Sequence, residues 1–229
     1  MIRVHVICEG QTEEMFVKEL LCASFHPLDI FLVPALIGKP GHKGGNVNFD
    51  RLRTDVQNRL LGDKAAFCTT FLDFYGLPMN FPGRAEAVQN ASIQAKALCM
   101  QESMTKELKS YINPDAMQRF IPYVQIHEFE ALLFSSPKKL ALGISRSDLT
   151  DHFQDIRDAF GSPEEINDDP NTAPSKRITR VAAGYEKPIY GTLAAMEIGL
   201  EIMRRECVLF DAWLKQLEAL ATDDTRCES

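Results

Sequence analysis

Residues 65–72, A-A-F-C-T-T-F-L, form a nearly all-apolar run. A strand with one wet face alternates apolar and polar residues, so such a run suits a central parallel strand covered on both faces. Parallel strands need crossover connections, and helices usually supply them. The flanking sequence offers both elements. Ile2–Cys8 is short and β-rich; Gly10 then turns it into a helical pattern of Met15, Phe16, Leu20 and Leu21, with Thr12 as the expected N-cap. Ile30–Ile37 reads as a second strand, and residues 48–61 as a helix with Leu52, Val56 and Leu60 on one face.

Further along, residues 85–111 read as a broken helix, Arg119–Ile126 as a fourth strand and Glu128–Phe134 as another helix. Residues 161–174 are polar and proline-rich, hence loop; Ser175–Ala183 is helical, and one long amphipathic pattern covers 193–220. The expected fold class is α/β: a mostly parallel central sheet with flanking helices and helical insertions. A length of 229 residues fits one domain over 1–220, with insertions at about 76–118 and 135–190 and a frayed tail at 221–229.

The formal charge of −7 argues against a chain that coats nucleic acid non-specifically, though not against an enzyme with an acidic, metal-neutralised centre. Six scattered cysteines without a C-x-x-C pair read as buried free thiols of a reducing compartment. No leader pattern or membrane-length apolar run is visible, so the expectation is a cytoplasmic protein with no membrane partner.

In an open parallel sheet, ligands bind beyond the carboxyl ends of the strands. Glu9 follows the first strand, Asp73 follows the run 65–72, and the fourth strand leads into His127-Glu128-Phe129-Glu130. Carboxylates gathered at one edge repel each other unless a cation lies between them. Hard oxygen donors without cysteine suit Mg²⁺ or Mn²⁺, and phosphoryl transfer is the chemistry that most often uses such a site. Glu9, Asp73 and Glu130 are therefore the candidate metal ligands, and with His127 the candidate catalytic residues. For Glu9 and Asp73 a structural role, a helix-start charge or a turn, stands level with the functional one. Glu13 and Glu14 read as charges favoured by a helix dipole. On helical spacing His127 and Glu130 share a face, and Glu128 points elsewhere.

Lys176, Arg177 and Arg180 crowd the start of a helix, the end where cations oppose the dipole. An anion would resolve this: an acid of the site, or a phosphate held by Ser175, Lys176 and Arg177. Lys39, Lys43 and Lys187 are weaker candidates for backbone contacts. Tyr75, Phe81 and Tyr123 suit base stacking less well than core packing.

Four ordered motifs, V-I-C-E-G-Q-T-E-E, F-L-D-F-Y-G-L-P with N-F-P-G, I-P-Y-V-Q-I-H-E-F-E-A-L-L-F and P-N-T-A-P-S-K-R-I, are similar to those of a bacterial family, domain-of-unknown-function family 4276 (DUF4276). The resemblance extends to F-D-A-W-L-K-Q-L near the end. It implies a TOPRIM-like (Rossmann-like) domain, related to that of topoisomerases, primases and overcoming-lysogenization-defect nucleases. By that resemblance Glu9 stands for the TOPRIM glutamate and Asp73 for the first acid of Asp-x-Asp. Tyr75 replaces the second acid, leaving Glu130 or Glu128 to supply a further carboxylate. The resemblance also implies an AAA- or ABC-type ATPase encoded nearby and a role in phage defence. The expected function is a Mg²⁺-dependent nuclease or related phosphodiester enzyme acting on nucleic acid. The alternatives are a non-catalytic binding subunit of an ATPase complex and a nucleotide- or phosphate-binding protein.

Overall fold

The computed structural model describes residues 1–38, 47–166, 169 and 172–224; Lys39, His42, Lys43, Asn171 and Cys227 lie outside them. Five parallel strands make the sheet: β1 (Ile2–Cys8), β2 (Ile30–Leu36), β3 (Phe67–Asp73), β4 (Phe120–Ile121) and β5 (Val124–Gln125). Their order is β2-β1-β3-β4, with β5 pairing β3 farther along. Thus β3 has neighbours on both sides, as its apolar run requires.

Alternation along the strands divides the core. On one face Val4, Val6, Cys8 and Phe71 pack with Phe16, Phe129, Phe210 and Trp213; on the other, Ile7, Cys68 and Leu72 meet Leu52, Val56, Leu60, Met100 and Met104. Four helices carry most of these partners, α1 (Gln11–Phe16), α2 (Phe49–Gly62), α3 (Ile93–Leu108) and α6 (Val208–Asp224); Phe129 directly precedes α4 (Glu130–Leu133), and α5 (Pro174–Val181) follows later in the chain. Phe71 is fully buried, with the rings of Phe16, Tyr123 and Trp213 at 5.9, 5.7 and 5.4 Å. Truncating such a residue costs about 3–5 kcal/mol.

Several boundaries differ from the pattern, each for a local reason. The fourth strand is two short pieces because Pro122 offers no amide to the ladder. There Thr70 Oγ1 substitutes for backbone, accepting from Tyr123 N at 3.0 Å and donating to Tyr123 O at 2.6 Å. The pattern over 193–220 is three helices, Thr192–Ile198, Leu200–Glu206 and α6, broken first at Gly199 with φ +83°. The helix expected over 85–111 is likewise divided, into Arg84–Ala87 and α3, where Ser92 accepts from Ala95 N. Helices Pro137–Gly143 and Thr150–Asp158 lie in the 135–190 insertion, which the sequence marks as helical without bounds for these elements. Cys8, Cys68 and Cys207 are buried free thiols, and Cys22 and Cys99 half-buried ones. Among the described residues no helix is long and apolar enough to cross a membrane.

Candidate functional site

The carboxyl edge of the sheet collects acids from every strand end in its middle. Glu9 follows β1 directly, and its amide extends the ladder by donating to Phe71 O at 3.1 Å. Its Oε2 accepts from Asp73 N at 3.0 Å, while Asp73 Oδ1 accepts from Phe129 N at 3.0 Å. Asp73 is the last residue of β3, so its side chain emerges from the strand itself. Gly76 closes over Glu9 so tightly that a Cβ there would collide with Glu9 Oε1. Any other residue at that turn would have to push the Glu9 carboxylate from its place against Asp73 N.

After β5 the chain does not enter a helix at once. His127 is left-handed, φ +68°, and its carbonyl accepts from Tyr75 N at 3.0 Å. A non-glycine residue there stores backbone strain of about 1 kcal/mol or more. The turn cancels the helical spacing assumed for residues 127–130: α4 starts only at Glu130, and Glu128 faces the site along with it. Glu128 Oε2 accepts from Ser175 N at 2.9 Å, at the start of α5. The start of that helix therefore meets an acid of the site through its backbone amide. Lys176 is exposed beside it, whereas Arg177 is half-buried and committed elsewhere: its Nε donates to Thr172 O at 2.6 Å and its guanidinium lies 5.3 Å from the Phe160 ring centre.

Glu13 joins the same cluster. Its Oε2 accepts from Gly10 N at 2.7 Å, so Glu13 rather than Thr12 caps α1 and the helix starts at Gln11. Yet it is buried to 5% exposure, unlike an ordinary solvated helix-start charge. The cation facing these acids is Lys187, whose Nζ lies 3.1 Å from Glu130 Oε1, 3.2 Å from Glu130 Oε2 and 3.8 Å from Glu128 Oε1. Lys187 opens a widened helical turn, Lys187–Gly191, of the π type that often marks functional positions. Behind it Tyr185 presses a buried hydroxyl toward Glu130 and Glu128.

Charge is unevenly matched here. Burial lifts the Glu130 carboxyl to about 7, with Lys187 opposing and Glu128 and Glu13 adding to the rise. Burial and then Glu9 lift Glu13 to about 7. Asp73 stands well above the usual carboxylate range through burial, then Glu13, Glu9 and Glu130. Glu9 is raised by burial, an effect its bond from the Asp73 amide offsets. For Lys187 burial works against the charge, but Glu130 and Glu128 outweigh it and hold the ammonium above its ordinary value. Glu9 is thus bonded to the Asp73 amide, and Asp73 lies within the electrostatic reach of Glu130. His127 is buried at 3% exposure and shapes the turn that delivers Glu128 and Glu130.

The donor set is all hard oxygen, which suits Mg²⁺ or Mn²⁺. Among the described residues no three His, Cys, Asp or Glu side chains stand ready-arranged around an ion position. Their oxygens rest instead on amides and Lys187. Glu13, Glu128, Lys187 and Tyr185 are the members sequence reasoning missed or set aside. Tyr75 is half-buried, and Phe81 and Tyr123 are core residues.

Comparison with curated proteins and with solved structures finds none that matches. A family model does match, over residues 8–218, and by that match the chain belongs to the domain of unknown function DUF4276.

Proposed function

We propose that the carboxyl-edge cluster is a divalent-cation site for phosphodiester hydrolysis on nucleic acid, as in the TOPRIM-like nucleases its motifs resemble. The observation that carries this reading is the gathering of Glu9, Glu13, Asp73, Glu128 and Glu130 at one sheet edge, where Lys187 pairs with Glu128 and Glu130 alone among the described residues. Like charges packed together weaken a fold, and shifted carboxyls of this kind gather at working sites. Glu9, Asp73 and Glu130 would hold Mg²⁺ or Mn²⁺. When bound, the ion neutralises phosphate charge and makes a bound water more acidic.

The chain's own residues do the rest. Glu13, with its carboxyl near 7, is suited to exchange a proton at neutral pH, and His127 is a second candidate for that role. Lys187 orients Glu130 and Glu128. Ser175 fixes Glu128 through its amide, and exposed Lys176, with Arg177 behind it, offers charge to the phosphate backbone. An AAA- or ABC-type ATPase partner and a role in phage defence rest on the motif resemblance alone, and cytoplasmic action on the buried free thiols.

The test is cleavage of plasmid and single-stranded DNA and of RNA in Mg²⁺ or Mn²⁺, with and without the neighbouring ATPase. Cleavage is expected from the wild type and lost in Glu9→Gln and Asp73→Asn; cleavage unchanged by both substitutions overturns the assignment. A second reading, a non-catalytic phosphate-binding subunit, is favoured by Tyr75 standing where a second acid was expected and by Lys187 between Glu128 and Glu130. It expects co-elution with the ATPase and no cleavage under any of these conditions.

A further inference from the structure

We infer that the Tyr185 hydroxyl is a substrate contact of this site, donating a hydrogen bond to a non-bridging phosphoryl oxygen; the inference rests on the phosphodiester reading above. Among the described residues Tyr185 Oη is buried and has no hydrogen-bond partner. Buried phenol hydroxyls nearly always find one, because leaving the group dry and unpaired costs stability. A hydroxyl that the fold itself required would be bonded to it. Phenylalanine would fill the same volume without that cost, so the oxygen's presence needs a reason outside folding.

The hydroxyl's position supplies one. The Tyr185 ring stacks on Tyr190, with centroids 6.2 Å apart and planes 27° apart, which fixes the direction of the C–O bond. The oxygen lies near Glu130 and Glu128, and a phenol hydroxyl at neutral pH is a hydrogen-bond donor. Neither carboxylate accepts from it. Glu130 Oε2 accepts from Lys187 and Glu128 Oε2 from the Ser175 amide, while Glu130 Oε1, 3.1 Å from Lys187 Nζ, is like the hydroxyl a buried atom without a hydrogen bond among the described residues. Space around the hydroxyl is kept by Gly191: a Cβ there would sit 3.2 Å from Oη and 3.3 Å from Phe129 Cε1. A buried neutral donor, packed against Gly191 beside an acidic cluster and unpaired within the fold, matches an acceptor that arrives with the substrate. In the proposed reaction that acceptor is a phosphoryl oxygen, which takes strong hydrogen bonds without adding a further cation to the site.

The experiment compares wild type with Tyr185→Phe by thermal unfolding without metal, by Mn²⁺ titration, and by steady-state cleavage of bis-p-nitrophenyl phosphate and of DNA. Expected are an unchanged or higher melting temperature, Mn²⁺ affinity within about twofold, and kcat/KM lower by about 10- to 100-fold, the loss of a hydrogen bond to a charged group. A melting temperature lowered by several degrees marks the hydroxyl as a structural group and overturns the inference. So does wild-type kcat/KM in the variant. A wild type that neither takes up Mn²⁺ nor cleaves either substrate overturns the phosphodiester reading, and the inference with it.

Discussion

Glu164 and the carboxyl-edge cluster both place carboxylates inside the protein, with opposite outcomes. Glu164 is fully buried and solitary. Its two oxygens accept from Leu209 N and Phe210 N, 2.9 Å each, in the first turn of α6, where the helix dipole welcomes negative charge. Burial still raises it to about 7, against the pull of those amides. In the cluster the acids also lean on amides, but they face one another as well, with Lys187 between two of them. A raised carboxyl is thus no mark of function by itself, since Glu164 has one and caps a helix. What separates the two regions is convergence without sufficient compensation.

The broadest way to probe that contrast is pH. Glu13, Glu130 and Glu164 all have folded-state values near 7, above the ordinary 4.5. Each binds its proton more tightly in the folded chain, so its contribution is fully present below about 4.5 and is lost as pH rises through about 7. Stability should therefore fall between pH 5 and pH 8, by on the order of 3 kcal/mol for a fully shifted group, as read by urea unfolding. Added Mg²⁺ should restore the share owed to the cluster and leave the share owed to Glu164. A flat profile would break the account at its electrostatic root.

Next in size, Glu164→Ala strands two buried amides and leaves a small cavity, and should cost about 3 kcal/mol in urea unfolding with no change in Mn²⁺ binding. Lys187→Met removes the ammonium from beside Glu130 and Glu128. Its side chain is 41% exposed, so solvent screening limits the loss to about 1–2 kcal/mol at pH 8, shrinking at pH 5 as Glu130 protonates. Smallest, Asp73→Asn keeps the oxygen that accepts from Phe129 N and deletes a buried carboxyl whose ionised form burial, Glu13, Glu9 and Glu130 all oppose. A gain of about 1 kcal/mol at pH 8 is expected, together with loss of cleavage. A stability loss there would make Asp73 a structural acid like Glu164.

Much of this arrangement was legible in the sequence, because it follows from topology. Once residues 65–72 and 2–8 are parallel neighbours, Glu9 and Asp73 must emerge at one edge, and Glu130 follows from the strand before it. The rest depended on details that periodicity does not carry. Glu128 was turned away by a helical spacing that the left-handed His127 abolishes. Glu13 does cap α1, as a helix-start acid should, but nothing local reveals that the first turn is buried against Glu9. Lys187 and Tyr185 arrive from more than fifty residues downstream, Lys187 opening a widened turn with no composition signature of its own and Tyr185 just before it. The one hint was the misplaced cations of α5, at whose start the Ser175 amide meets Glu128.

The central claim is that convergence, rather than burial, makes the carboxyl edge a cation site. Calorimetric titration of Mn²⁺ at pH 8 into wild type, Asp73→Asn and Glu164→Gln tests it most directly. Saturable binding is expected in the wild type and in Glu164→Gln, weakened at least about tenfold in Asp73→Asn. No binding to the wild type, or equal binding to all three, would contradict it.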